Sequence, residues 1–236
     1  YKNSFLTLIK SVVKSKNEFD YFSFADQDDV WERDKILSAV ILLEKNKNHK
    51  FRLYYTGLTF VDENLNVLKV KDESRTLVTF GAEIVRHSIS GATAVFSYNL
   101  GKMAVLYDDS FNIKDGHDSF VFRLNAAIGG VFLRDEVNYI KFRRHSANTS
   151  SATSGLTYKI KNELKRSNKS ETETAFFLQK YFIDILNPKT ANDISALLNY
   201  RTGIFNKFKL LTNKHFRRES WIMNMLFIYL SLIHIS

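Results

Sequence analysis

Phe5, Leu8, Ile9, Val12 and Val13 recur at three- and four-residue spacing, which predicts an amphipathic helix over 3–15. Residues 21–25 form a short apolar, aromatic run that ends in acids and predicts a buried strand. Over 32–45 the positions Ile36, Leu37, Val40, Ile41 and Leu43 give a broad apolar face, again helical. Residues 53–61 are β-rich, and the polar run 62–66 predicts a turn into a further strand at 67–70. Another apolar run covers 92–96, and a helix is expected over 99–106. Phe120, Val121, Leu124 and Ile128 line one face of a helix over 117–128, which Gly129-Gly130 terminates. Short strands follow at 131–133 and 137–142, then a polar, loop-like stretch over 143–155. From Leu156 onward the periodicity is helical throughout, and no internal repeat is visible.

This order predicts an α/β body over 1–150 and an all-helical region over 151–236. Charge divides at the same place. The formal net charge of +9 splits into 21 Lys+Arg against 19 Asp+Glu before residue 151, a net of +2, and 13 against 6 after it, a net of +7. Hydrophobic residues at 44 % and charged residues at 25 % are globular proportions. Cysteine is absent, which excludes disulfides, Cys-ligated zinc, iron–sulfur clusters and a thiol nucleophile. The chain opens on Tyr1, and the apolar run 5–9 is too short for a secretory signal.

The chemistry concentrates first at Asp26-Gln27-Asp28-Asp29, directly after the strand at 21–25. Ligands of open α/β sheets bind beyond the carboxyl ends of strands. Three clustered carboxylates repel one another unless a cation sits among them, and Mg²⁺ or Mn²⁺ takes a few carboxylate oxygens together with phosphate oxygens. The plainer alternative is a solvated acidic turn leading into a helix from Glu32. His117-Asp118 likewise has two readings: the metal pair of an HD phosphohydrolase, which the other histidines do not complete, or a helix start with an acid near the dipole. Arg143, Arg144 and His145 have the chemistry of a diphosphate site or of a solvated basic loop.

The stretch Phe24-Ala25-Asp26-Gln27-Asp28-Asp29-Val30-Trp31-Glu32-Arg33-Asp34-Lys35-Ile36 resembles the "DQDDxWxxxK" segment of family 2 glycosyltransferases, most of all the bacterial rhamnosyltransferase-like branch that builds cell-surface polysaccharide. Four further blocks fall in the family's order. These are the strand and turn from Tyr54 to Asn64, the Gly-led segment from Ser90 to Phe96, Gly116-His117-Asp118-Ser119-Phe120, and Phe142-Arg143-Arg144-His145-Ser146-Ala147-Asn148. Each block is modest alone, and together they cover roughly 1–150. Phe142 stands where the family usually has Tyr, and Ser119 where it has a larger aromatic.

The resemblance implies a GT-A fold, a Rossmann-like mixed sheet, with an all-helical region after it. It implies an inverting transfer of a sugar such as rhamnose from a nucleotide-diphosphate sugar to a polysaccharide or lipid-linked saccharide acceptor. Asp26 and Asp28 would hold Mg²⁺ or Mn²⁺, and Asp118 would be the general base. Asp29, Arg143 and His145 would serve the donor diphosphate, and Trp31, Gly91 and His117 the acceptor side. Lys35 is expected to pair with the acidic cluster. Family members begin with a strand–helix–strand unit that nothing in 1–15 matches, so the expectation is a catalytic domain lacking its first strands and binding donor poorly.

The helical region adds a location. Lys159, Lys161, Lys165 and Arg166, then Lys207, Lys209, Lys214, Arg217 and Arg218, precede seventeen residues, 220–236, without Lys, Arg, Asp or Glu. A basic segment before an apolar helix predicts peripheral attachment to an anionic surface, here the cytoplasmic face of the cell membrane. Burial against the body and a true span are the alternatives for 220–236. A haloacid-dehalogenase-type phosphatase using Asp26 and Asp28 is the rival enzyme, though Trp31, His117-Asp118 and 143–148 would then go unexplained. An inactive transferase fragment is a third reading. No recognition motif supports nucleic acid as a partner.

Overall fold

A computed structural model of the protein describes residues 4–15, 19–85, 87, 89–106, 116–144, 169–216 and 225. Its architecture is α/β. Eight strands are formed among these residues: β1 (Tyr21–Ser23), β2 (Val30–Trp31), β3 (Arg52–Tyr55), β4 (Leu58–Val61), β5 (Val67–Lys71), β6 (Val95–Ser97), β7 (Val131–Arg134) and β8 (Ile140–Arg143). The helices are α1 (Ser4–Lys14), α2 (Lys35–Lys45), α3 (Phe80–Val85), α4 (Tyr98–Ala104), α5 (His117–Ala127), α6 (Lys169–Phe182), α7 (Pro188–Asn199) and α8 (Ile204–Thr212).

The strands make two mixed four-stranded sheets, ordered β1-β6-β3-β7 and β2-β8-β4-β5. β3 runs parallel to β7 in the first and β4 parallel to β8 in the second, and the remaining pairs are antiparallel. The chain passes from the first sheet to the second at 24–29, at Thr56-Gly57 and at 135–139. The β-rich run 53–61 is therefore two strands in two sheets. Gly57 permits the crossing, because a Cβ there would run into the Lys71 carbonyl oxygen and stand 2.6 Å from Asn138 Oδ1.

Alternation along β3 and β6 sorts the core into two layers. Leu53, Tyr55 and Phe96 face the main core with Leu6 and Ile9 of α1 and Phe120, Val121 and Leu124 of α5. Tyr54 and Val95 face the other way, onto Ala39 and Leu43 of α2. The first sheet thus lies between helices on both faces. Phe177, Leu178 and Phe182 of α6, Ile194 and Leu197 of α7 and Leu210 of α8 join the main core beside Phe80 and Ile84 of α3. The described helices of the C-terminal region thus complete the body's apolar interior, each full burial of such a side chain being worth about 1.5–3 kcal/mol.

Three sequence expectations change here. Helix α2 starts at Lys35 rather than Glu32, because Val30 and Trp31 pair with Lys141 and Ile140 as β2. Its inward face carries Lys35, Ala39 and Leu43, while Ile36, Leu37 and Ile41 are exposed. Helix α3 has no counterpart in the sequence reading: all six of its residues are buried, so no polar face marks its period.

Candidate active site

The register of β1 against β6 builds one wall of the site. Ser23 opposes Val95, and the Ser23 hydroxyl donates to the Ala94 carbonyl at 2.8 Å. The chain leaving β1 therefore runs beside the chain entering β6, which is the 3₁₀ turn Gly91–Thr93. Asp26 and Asp28 lie exposed in the turn after β1, and Asp29 is half-buried. Although its side chain reaches solvent, partial withdrawal from water, with the charges of Asp28 and Asp118, raises the Asp26 carboxyl above the usual carboxylate range, and His117 pulls it partly back. Asp26, Asp28, His117 and Asp118 thus share one electrostatic neighbourhood.

Asp118 is in the first turn of α5, where the helix dipole favours an anion. Its Oδ1 accepts the Ser119 backbone N–H at 2.8 Å, and its Oδ2 accepts that of Gly91 at 3.3 Å. Both neighbouring glycines are required by this approach. A Cβ on Gly91 would stand 2.6 Å from the Asp118 Cβ, and one on Gly116 would stand 2.6 Å from Asp118 Oδ1. His117 packs its ring against Phe5 at 4.2 Å and Phe24 at 4.6 Å between centroids. Burial lowers its pKa despite the charges of Asp118 and Asp26.

Asp29 lies at the opposite end of the turn. Its Oδ1 accepts the Arg143 backbone N–H at 3.2 Å, while Oδ2 is buried without a hydrogen-bond partner. Burial pushes this carboxyl up to about 7, Asp26 and Asp28 adding to the rise and Arg143 opposing it. The link follows from β2 pairing with β8, which carries Arg143 at its end. The turn therefore joins Asp118 and Gly91 at its start to Arg143 at its finish.

Other expected residues fall elsewhere. Lys35, 1 % exposed, donates to the Ser23 hydroxyl at 3.0 Å and holds its ammonium 3.5 Å from the Trp31 ring centroid. It is tied to these two and not to the acidic cluster, and burial lowers its pKa to about 8. Trp31 is engaged by Lys35 and by strand pairing with Ile140, not by Gly91, His117 or Asp118. His145 lies outside the described residues, as do the basic Lys159, Lys161, Lys165, Arg166, Arg217 and Arg218 and residues 220–224 and 226–236 of the apolar terminal stretch.

Two residues of the site escaped the sequence reading. Glu83, wholly buried, meets His87 with Oε2 2.6 Å from Nδ1, and the other ring nitrogen stands 3.7 Å from Asp118 Oδ2. Burial works against a charged His87, yet Asp118 and Glu83 outweigh it and raise its pKa to about 9. Burial alone would raise Asp118, but His87, the Ser119 N–H and His117 hold it well below the usual carboxylate range. The Glu-x-x-x-His spacing at 83 and 87 was the available signal.

An all-oxygen set of two exposed carboxylates, beside an Asp29 oxygen with no donor, suits a hard divalent cation. Among the described residues no three His, Asp or Glu side chains close on one point. Two carboxylates are what Mg²⁺ takes when substrate phosphates complete its shell. No known protein family, curated protein or solved structure matches the chain.

Proposed function

We propose that the protein is a GT-A-type, inverting glycosyltransferase that moves a sugar from a nucleotide-diphosphate donor to a saccharide acceptor of the cell surface. One observation carries this reading. Four stretches far apart in sequence, at 26–29, 91, 117–118 and 143, meet at one place, and they are the stretches that resemble the family's blocks.

Asp118 is the general base in this reading. Its carboxylate stays ionised and is fixed by two backbone N–H groups, so it accepts the acceptor hydroxyl proton as that oxygen attacks the anomeric carbon. The bond from that carbon to the diphosphate oxygen breaks, and the nucleoside diphosphate leaves. Asp26 and Asp28 would hold Mg²⁺ or Mn²⁺, which supplies charge neutralisation at the departing diphosphate. Asp29 and Arg143 close the far side of the turn, where the donor diphosphate would lie. His117, packed against Phe5 and edge-on to Phe24, forms a floor beside the base.

A peripheral position at the inner membrane face goes with this reading. Helix α8 exposes Ile204, Phe205 and Phe208 next to Lys207 and Lys209, an apolar strip with cations beside it. No helix of the described residues is long and apolar enough to cross a membrane.

The test is release of nucleoside diphosphate from dTDP-rhamnose and a panel of UDP-sugars, with and without Mn²⁺. Turnover should require the metal and fall by about 10²–10⁴-fold in Asp118→Asn, the range for loss of a general base. Metal-dependent phosphate release from p-nitrophenyl phosphate, with no consumption of any nucleotide sugar, would overturn the reading in favour of a phosphatase.

A further inference from the structure

Behind Asp118 lies a group of buried ionisable side chains that the transfer chemistry leaves unused. Glu83 is 0 % exposed, Arg123 3 % and the His87 side chain 9 %. Glu83 sits in α3 and reaches His87 one helical turn on, at 2.6 Å. His87 points its other nitrogen at Asp118 Oδ2, 3.7 Å away, an ion-pair distance beyond that of a hydrogen bond. Arg123 of α5 donates from Nε to the Glu83 carbonyl at 2.9 Å and from Nη2 to the Ile84 carbonyl at 3.4 Å. The Phe122 ring, 4.9 Å from that of His87, closes the site on the side of α5.

Charges withdrawn from water are tolerated only when they are balanced. Glu83 and Asp118 bring two negative charges, and Arg123 brings one positive charge. With both carboxylates ionised, the group closes at zero when His87 is an imidazolium. Its Nδ1–H then has Glu83 Oε2 as acceptor, and its buried Nε2–H, which has no hydrogen-bond partner, faces the Asp118 Oδ2 charge at ion-pair distance. Other ionisable groups act on this cluster from outside: His117 faces Asp118 from α5, Asp26 faces it from the acidic turn, and Tyr55 senses Glu83 from β3.

We propose that His87, held as an imidazolium by Glu83, is a positioning residue that fixes the Asp118 carboxylate for proton transfer. The proposal rests on the transferase reading of Asp118. The Gly91 N–H bonds Oδ2 and the imidazolium faces that oxygen at ion-pair distance, whereas Oδ1 takes one N–H, from Ser119, and keeps lone-pair capacity for the acceptor hydroxyl. The cation also offsets the cost of keeping Asp118 ionised once a saccharide excludes water above it. Glu83 does not touch Asp118; it holds the ring in place and keeps its charge.

Ring ¹⁵N and ¹H resonances of the full chain test this directly, with His87 assigned by its loss in His87→Asn. His87 should carry both ring protons at pH 7.5, and Glu83→Gln should move its titration downward. In donor turnover, His87→Gln should cut kcat by about ten- to a hundred-fold, the range for a group supporting a first-line residue, and leave the donor KM unchanged. The acid limb of the pH profile should move to higher pH, because Asp118 loses its cation. A neutral His87 ring at pH 7.5, or an unshifted acid limb in His87→Gln, overturns the proposal. Undiminished donor turnover in Asp118→Asn overturns the general-base reading of Asp118 instead, and the ring resonances still report whether Glu83 holds an imidazolium.

Discussion

Asp29 and Asp118 stand at opposite ends of one cluster, and burial acts on both in the same sense. Asp29 yields to it and rises to about 7. Asp118 does not, and stays well below the usual range. The difference lies in the partners. Asp29 has one backbone N–H and two like-charged neighbours, while Asp118 has two backbone N–H groups and an imidazole that Glu83 keeps charged. The first arrangement leaves a demand for positive charge from outside the chain. The second meets that demand internally. A site that bound a cation and also kept a base ionised, as in the proposed transfer, would need both arrangements, side by side but separately supplied.

The comparison is most severely strained by removing the internal supply. Glu83→Ala leaves His87 and Arg123 buried with one anion fewer, and it should cost about 3–5 kcal/mol of stability. Urea unfolding at pH 7 measures it, and a loss below about 1 kcal/mol would show that the group does not act as a balanced unit. The next largest effect is on pH. The His87 pKa is raised from its ordinary 6.5 to about 9, so the stability it contributes is complete below pH 6.5 and is lost as pH rises through 9. That window is worth on the order of 3 kcal/mol. The excess of unfolding free energy in the native chain over His87→Asn should therefore shrink between pH 6.5 and 9.5, a difference from which the opposite contribution of Lys35 above pH 8 cancels.

The smallest effect runs the other way. The Asp29 pKa is raised, so ionising it costs stability between its ordinary value near 3.8 and about 7, and the cost is full above that. Asp29→Asn removes the cost. With chelator present at pH 8, its melting temperature should rise by about 2–4 °C, the shift that ~1 kcal/mol makes in a chain of this size, because solvent screening at a half-buried carboxyl leaves only part of the cost that its pKa implies. At pH 4 the gain should vanish. A melting temperature that falls at pH 8 would show that Asp29 is paired as well as Asp118 is.

Legibility in the sequence followed the same division between inside and outside. Helices α1 and α5 carry apolar positions at helical spacing against polar ones, and both were legible to within a residue or so. The beginning of α2 was not, because β2 has two residues and its pairing with β8 is a long-range fact. Helix α3 is buried all round, so it has no period to read. In the site, Asp26, Asp28, Gly91 and Asp118 were legible through the blocks that resemble a family. Glu83 and His87 lie in none of those blocks, and only folding shows that their i, i+4 pair abuts Asp118. Lys35 misled because proximity in sequence to three aspartates outweighed the inward turn of α2 that takes it to Trp31 and Ser23.

The turn at 26–29 is also a strap between β1 of one sheet and β2 of the other. Gly57 and residues 135–139 make two further straps in the same sense. The turn itself is closed locally, the Asp29 N–H donating to the Asp26 carbonyl at 3.4 Å. What the sheets set is the span that this turn bridges, from Asp118 beside Asp26 to the Arg143 N–H on Asp29, as the opening of a caliper reports the position of its arms. A side chain that tilts one sheet on the other, however far from the carboxylates, would reset that span.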